Sequence, residues 1–185
     1  MNLPNKLTIL RVIMIPFFIF FLLFKPDNNG YRMIAEVLFC AASFTDMLDG
    51  KIARKYNLVT NFGKFMDPLA DKLLVCSAMI CLLSLGQLPT VVVIIIVARE
   101  FIISGFRLIA ADNGIVIAAS MWGKSKTVSQ MAMVIWLIIM PLFSANGAQG
   151  PQIFADILIC LATVLTVVSL IDYLVKNKDV LKEQN

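Results

Sequence analysis

Two segments, DMLDGKIAR at residues 46–54 and GKFMDPLAD at residues 63–71, place four aspartates in a chain that is otherwise strongly apolar. At helical spacing, the residues of the first segment that share one face are Asp46, Asp49, Gly50 and Ala53. Those of the second segment that share a face are Gly63, Asp67 and Asp71. Ionised side chains within apolar spans are costly. The pattern therefore predicts two helices that bring four carboxylates together for a functional reason.

The composition is that of a membrane protein. Of the 185 residues, 59% are hydrophobic and 15% are charged, whereas soluble domains have about 45–50% apolar and 25% charged residues. The net charge is +4, but the basic residues lie between apolar stretches and form no basic face for nucleic acid. A nucleic-acid-binding function is therefore excluded, and one domain is expected at this length.

The apolar stretches predict six transmembrane helices, because each crossing needs about 20 apolar residues. The predicted spans are 10–25, 31–50, 68–86, 89–110, 127–145 and 152–175. Glycine, proline and asparagine mark three of the breaks, at residues 25–30, 86–89 and 145–151. Before the first span, leucines and a methionine repeat at helical spacing from Leu3 to Met14, which predicts a short interfacial amphipathic helix. The fold class is an all-α membrane protein.

The distribution of lysine and arginine predicts the orientation of the chain. Basic residues concentrate in the stretches 1–11, 51–66, 111–126 and 176–185, whereas the opposite connections hold only Lys25 and Arg32. Cytoplasmic loops carry the excess of basic residues. We therefore expect both termini and the four aspartates on the cytoplasmic side of a multi-pass protein of the cell (plasma) membrane.

Histidine is absent, and the four cysteines all fall within apolar runs without a CxxC pair. Such cysteines are more typical of helix packing than of a zinc or haem site. Without histidine, a proton acceptor that works near neutral pH has to be a carboxylate or an amine.

Four neighbouring carboxylates repel each other strongly at low dielectric constant, and divalent cations can reverse that balance. Mg²⁺ takes oxygen ligands and usually retains water and substrate phosphates, so two such ions would hold a diphosphate. The small residues Gly50, Ala53 and Gly63 leave room for a phosphate, and Arg54 could pair with it. Ion pairs with neighbouring lysines are the structural alternative, but they account for only one or two of the aspartates.

The pattern D-x2-D-G-x2-A-R-x8-G-x3-D-x3-D, matched at every position from Asp46 to Asp71, resembles the signature of the CDP-alcohol phosphotransferases. The resemblance implies that residues 1–185 form a single domain with six transmembrane helices, usually as a homodimer. It also implies a site for two divalent cations, Mg²⁺ or Mn²⁺, and a reaction in which an alcohol displaces CMP from a CDP-linked donor.

The same resemblance assigns roles to individual residues. The implied metal ligands are Asp46, Asp49, Asp67 and Asp71. Asp71 is also the implied catalytic base, which deprotonates the attacking hydroxyl. The residues placed at the CDP donor are Asp46, Asp49, Gly50, Ala53, Arg54 and Gly63.

The fourth and fifth predicted spans contain candidates for the acceptor site. Arg99 and Arg107 lie on one helical stripe, about 12 Å apart along the axis, and Glu100 either partners Arg99 or faces another helix. Lys124, Ser125 and Lys126 stand at the predicted start of the fifth span, where a helix N-terminus favours phosphate. These residues predict a pocket for the phosphate of the acceptor. A structural ion pair at Arg99 and an ordinary basic flank at the lysines are the alternatives.

Three further blocks, at residues 2–11, 98–107 and 119–130, resemble the phosphatidylglycerophosphate synthases of bacteria, a branch of the same family. The implied donor is CDP-diacylglycerol, a membrane lipid, and the implied acceptor is sn-glycerol 3-phosphate. Asn5 and Thr8 would then help line the nucleotide site, although a simple interfacial helix explains them equally well.

Three other functions compete with this hypothesis. A sister transferase that uses inositol phosphate or serine would carry the same general signature. A divalent-cation transporter would hold its carboxylates near the middle of the bilayer on broken helices, whereas here they cluster towards one membrane face. A purely structural membrane scaffold leaves the aspartates unexplained.

Overall fold

The computed structural model describes residues 3–55, 61–112, 120–143 and 149–177, and all regular secondary structure in these ranges is α-helical. The six helices are α1 (Leu3–Phe24), α2 (Asn29–Lys55), α3 (Asn61–Ser84), α4 (Thr90–Asp112), α5 (Met121–Phe143) and α6 (Gly150–Lys176). The predicted all-helical fold is confirmed, and the three predicted breaks fall between consecutive helices.

The helix ends follow from local turn chemistry. The Asn28 side chain accepts hydrogen bonds from the backbone N–H groups of Gly30 and Tyr31, which caps the first turn of α2. At the end of α3, Gly86 has a φ of 69°. The next N–H, from Gln87, donates to the Leu82 carbonyl, and Gly86 N–H donates to Leu83. This is a Schellman motif, which requires the left-handed conformation that glycine adopts without strain.

Three of the described helices are long and apolar enough to cross a membrane, over Asn5–Phe24, Met121–Phe143 and Gly150–Lys176. Helices α2, α3 and α4 have similar lengths but contain more ionisable residues. The number of six crossings thus stays a prediction, as does the orientation. The predicted interfacial helix and first span form one continuous helix, α1.

The helices form two groups, which contact each other through α2 and α5. In the first group, α1 lies against α2 and α3. In the second group, α6 lies against α5 and α4. Phe18 and Phe39, both fully buried, join α1 to α2 with ring centroids 5.7 Å apart. The outer surface is apolar, and its most exposed large residues are Leu108, Met121, Val128, Val91 and Val175. Such a surface is suited to lipid rather than to water.

The buried residue Arg32 holds the connections together at one end of the bundle. Its guanidinium donates to the Pro26 carbonyl between α1 and α2, to the Ile138 carbonyl of α5 at 3.0 Å, and to the Gln87 side chain after α3 at 3.5 Å. Pro141 lies three residues after Ile138 in α5. Proline has no backbone N–H, so the Leu137 carbonyl, next to the one that Arg32 binds, has no helical donor.

We expect Arg32→Met to lower the free energy of unfolding by about 2 kcal/mol, because the carbonyls that Arg32 satisfies would be left buried without a donor. Thermal unfolding in detergent micelles would measure the loss. Lys25→Met is the matched control, since Lys25 is exposed and contacts only aromatic rings. If the two variants had the same free energy of unfolding, the contacts of Arg32 would not stabilise the helical bundle.

Candidate active site

The two aspartate segments lie on adjoining helices, as predicted. Helix α2 continues through residues 46–54, and α3 includes residues 63–71. Asp46 is partly exposed and Asp71 is exposed. The side chains of six further predicted site residues lie outside the described part of the structure: Asp49, Gly50, Ala53, Arg54, Gly63 and Asp67. Their roles stay predictions, whereas the helices that carry their backbones are observed.

Arg11 binds the first of the predicted metal ligands. It is fully buried in α1, and its guanidinium forms an ion pair with the Asp46 carboxylate at 2.7 Å. It also donates to the Ala42 carbonyl at 3.3 Å. Ala42 and Asp46 are one turn apart on α2, so a single planar guanidinium reaches both. The Asp46 carboxylate is held in place from α1.

The polar face of α1 is turned into the bundle. Asn5, Thr8 and Arg11 follow at intervals of three residues and are all buried, whereas Leu10 is 46% exposed. An interfacial helix would expose its polar face to water. The first turns of α1 therefore present their polar side chains to the interior, and Asn5 and Thr8 each take part in further interactions.

Asp71 lines a small pocket between α3, α4 and α5. The charged and polar residues of that pocket are Asp71, Lys72, Glu100, Lys126, Thr127 and Gln130. Asp71 is also within electrostatic range of Asp46, Arg11, Glu100 and Lys126. The Lys72 ammonium donates to the Ser104 hydroxyl, which ties α3 to α4. Asp71 thus lines the pocket and also interacts electrostatically with the Arg11–Asp46 pair.

A second ion-pair network forms part of the pocket wall. Glu100 accepts hydrogen bonds from Lys126 and, at 3.0 Å, from Arg99. Arg99 also donates to the Ser169 hydroxyl at 2.5 Å. The network connects α4, α5 and α6, and it brings together two of the residues predicted to hold the acceptor phosphate. Glu100 partners Arg99, which was one of the two arrangements left open by the sequence.

The other three residues predicted for the phosphate lie apart from this pocket. Arg107 is exposed, and its guanidinium lies 5.8 Å from the centre of the Tyr173 ring. Lys124 and Ser125 are exposed in the first turn of α5 and are absent from the described pocket lining. The structure therefore places Lys126 in the pocket lining, and Arg99 lies outside the lining in contact with Glu100. The phosphate-binding roles of Arg107, Lys124 and Ser125 stay predictions.

Three functional candidates were missed from the sequence: Arg11, Lys72 and Gln130. Each had a local signal. Arg11 follows Thr8 by three residues, Lys72 follows Asp71, and Gln130 is a polar residue one turn after Lys126. Ionisable or amide groups in apolar runs are costly to leave unpaired, so each of them needed a partner that spacing alone did not identify.

The donor atoms suit a hard divalent cation. Asp46 on α2 and Asp71 on α3 offer only carboxylate oxygens, the ligands that Mg²⁺ and Mn²⁺ prefer. Among the described side chains, no three acidic, cysteine or histidine residues gather into a metal site. The other two predicted ligands, Asp49 and Asp67, are outside that set, so metal binding stays a prediction with which the described donors are compatible.

Known proteins resemble this chain along most of its length. The family CDP-alcohol phosphatidyltransferase matches residues 1–170. A Bacillus subtilis protein named CDP-diacylglycerol–glycerol-3-phosphate 3-phosphatidyltransferase is 43% identical, with 100% of this chain and 99% of the relative covered. A Rickettsia typhi protein of the same name is 42% identical over 91% of this chain and 92% of its own. A probable phosphatidylglycerophosphate synthase of Mycobacterium tuberculosis H37Rv is 40% identical over 95% and 81%.

We expect the Arg11–Asp46 pair to be coupled by about 1–2 kcal/mol in a double-mutant cycle of Arg11→Met and Asp46→Asn. The value should fall below that of a fully buried pair, because the Asp46 side chain is 39% exposed. Reversible unfolding in mixed micelles would give the four free energies.

The Lys176–Asp172 pair of α6 serves as the control for this cycle. Its lysine side chain is 62% exposed, so its coupling should not exceed about 0.5 kcal/mol. A coupling for Arg11–Asp46 that is no larger would contradict a structural role for Arg11 at Asp46.

Proposed function

Because the chain belongs to the CDP-alcohol phosphatidyltransferase family, we propose that it transfers the phosphatidyl group of CDP-diacylglycerol to sn-glycerol 3-phosphate. The products are phosphatidylglycerophosphate and CMP. One structural observation supports this proposal above the others: the buried ammonium of Lys126 and the carboxylate of Asp71 line the same pocket. A site for a phosphorylated alcohol needs a cation that binds the phosphate and a base that deprotonates the hydroxyl.

The donor side of the site lies at Asp46 and the polar face of α1. We propose that the CDP moiety lies against Asp46, Asp49, Gly50, Ala53, Arg54 and Gly63, with Asn5 and Thr8 beside the nucleotide. The burial of Asn5 and Thr8 on the face of α1 that carries Arg11, the partner of Asp46, supports this role over that of an interfacial helix. The Arg11 guanidinium fixes the Asp46 carboxylate, so that it does not have to reorganise when the donor binds.

Two divalent cations, Mg²⁺ or Mn²⁺, held by Asp46, Asp49, Asp67 and Asp71, would neutralise the diphosphate and stabilise the charge that develops during transfer. The cations would also offset the repulsion among the four aspartates. The chain's own contribution is to hold the carboxylates on two adjoining helices and to anchor Asp46 from α1.

The acceptor side is the pocket of Asp71 and Lys126. The phosphate of glycerol 3-phosphate would bind the Lys126 ammonium, with Arg99 behind it. Arg107, Lys124 and Ser125 would assist from outside the pocket. Asp71 would take the proton from the free hydroxyl of the acceptor. The hydroxyl oxygen would then attack the β-phosphorus of the donor in line, and the bond from that phosphorus to the CMP oxygen would break.

The acyl chains of the donor have to stay in lipid during this reaction. The exposed apolar surfaces of α4 and α6 support a chain embedded in a bilayer. We propose six crossings, cytoplasmic termini and an active site that faces the cytoplasm of the plasma membrane. We also propose a homodimer, as the family resemblance implies.

The purified protein should release CMP from CDP-diacylglycerol when glycerol 3-phosphate and Mg²⁺ or Mn²⁺ are present, measured by chromatography of the nucleotide. Serine and inositol phosphate should give no release above background, because the blocks outside the aspartate signature favour glycerol phosphate. Chelation by EDTA should abolish turnover, and added Mg²⁺ should restore it. If CMP were released with serine and not with glycerol 3-phosphate, the protein would be a sister transferase. If no acceptor gave release of CMP, the proposed enzymatic activity would be rejected.

Asp71→Asn should lower kcat by about 10²–10⁴-fold, because an amide cannot accept the hydroxyl proton. The folded state should be unaffected, as judged by thermal unfolding. Asp156→Asn is the matched control, since Asp156 is exposed on α6 and contacts Gln152. Near-normal turnover of Asp71→Asn would remove Asp71 as the base.

A further inference from the structure

Glu100 is an acidic residue in a pocket that we propose for an anion. Its carboxylate lines the same pocket as Lys126 and Asp71. A carboxylate at a phosphate site weakens binding by repulsion unless it does something that outweighs the repulsion. The proposed transfer reaction gives Glu100 no role, so its position calls for a separate explanation.

One oxygen of Glu100 contacts two cations. Oε1 accepts a hydrogen bond from the Lys126 ammonium and, at 3.0 Å, from Nη1 of Arg99. The two cationic groups come from different helices, α5 and α4, and without the shared oxygen they would repel each other. Glu100 therefore fixes the distance between two positive charges that are otherwise free to separate.

Both cations are removed from solvent. Lys126 is 2% exposed and Arg99 is 9% exposed. Burying an ammonium or a guanidinium without a counter-charge is strongly unfavourable. The Glu100 carboxylate offsets that cost and allows Lys126 to stay charged at the base of the pocket.

The cations keep unused donors in this arrangement. Lys126 has three N–H groups, and Glu100 is its one hydrogen-bond acceptor among the described contacts. Nε of Arg99 is buried without a hydrogen-bond partner in the described part of the chain. Lys126, Arg99 and Glu100 together carry one positive charge, which attracts a phosphate and leaves donors to bind it.

We propose that Glu100 is a positioning residue of the acceptor site, which holds Lys126 and Arg99 in place to bind the phosphate of the acceptor. This inference rests on the proposed function and extends it to a residue outside the aspartate signature. Glu100 acts through the two cations and does not touch the reacting atoms.

The test compares the steady-state kinetics of the purified wild type, Glu100→Gln and Glu100→Asp. Glutamine keeps the shape but removes the charge, so we expect KM for glycerol 3-phosphate to rise about 10-fold or more. The inhibition constant of inorganic phosphate should rise in parallel, whereas kcat and KM for CDP-diacylglycerol should change less than about 3-fold. Aspartate keeps the charge and should recover part of the affinity, which a loss of packing alone would not do.

Glu36→Gln is the matched control. Glu36 is another carboxylate inside the helical bundle, and it contacts Cys40 on α2, away from the pocket. Its kinetic constants should equal those of the wild type. If Glu100→Gln leaves KM for glycerol 3-phosphate unchanged or lowers it, Glu100 is not a positioning residue. If the wild type itself releases no CMP with glycerol 3-phosphate, the proposed function fails instead, so the two failures are distinguishable.

Discussion

The cost of placing an ionised side chain among apolar helices governs where the charges of this protein lie. At one end of the bundle, Arg32 is surrounded by two backbone carbonyls and an amide oxygen. At the other end, Arg11 pairs with Asp46, and Glu100 pairs with Lys126 and Arg99. Arg32 joins α2 to α5, Arg11–Asp46 joins α1 to α2, and Lys126–Glu100 joins α5 to α4, so the contacts that satisfy these charges also hold the helices together.

Asp71 interacts electrostatically with both ion-pair networks at the aspartate end, the Arg11–Asp46 pair and the Glu100–Lys126 pair. No other described aspartate lines the pocket. This arrangement gives a physical reason for a separate role of Asp71 within a set of four aspartates that look equivalent in the sequence.

Helix positions were predictable from the sequence, because apolar length and turn residues are local properties. The breaks at residues 25–28, at residues 85–89 and after Phe143 followed from glycine, proline and asparagine. The spacing of the aspartates likewise placed Asp46 and Asp71 on helices. The partners of Arg11 and Arg32, and the pairing of Glu100 with Lys126, were not predictable, since they depend on which helices pack together. The inward polar face of α1 was missed for the same reason: periodicity identifies a face but not what it contacts.

The two ends of the bundle differ in how they respond to the solution around them. The acceptors of Arg32 are carbonyl and amide oxygens, which do not ionise, so that end keeps its contacts in acid and in concentrated salt. The opposite end depends on carboxylates, whose attraction for Arg11 and Lys126 is lost when they are protonated. Acid would therefore loosen the molecule first where Asp46 and Glu100 lie, while the helices stayed joined at Arg32.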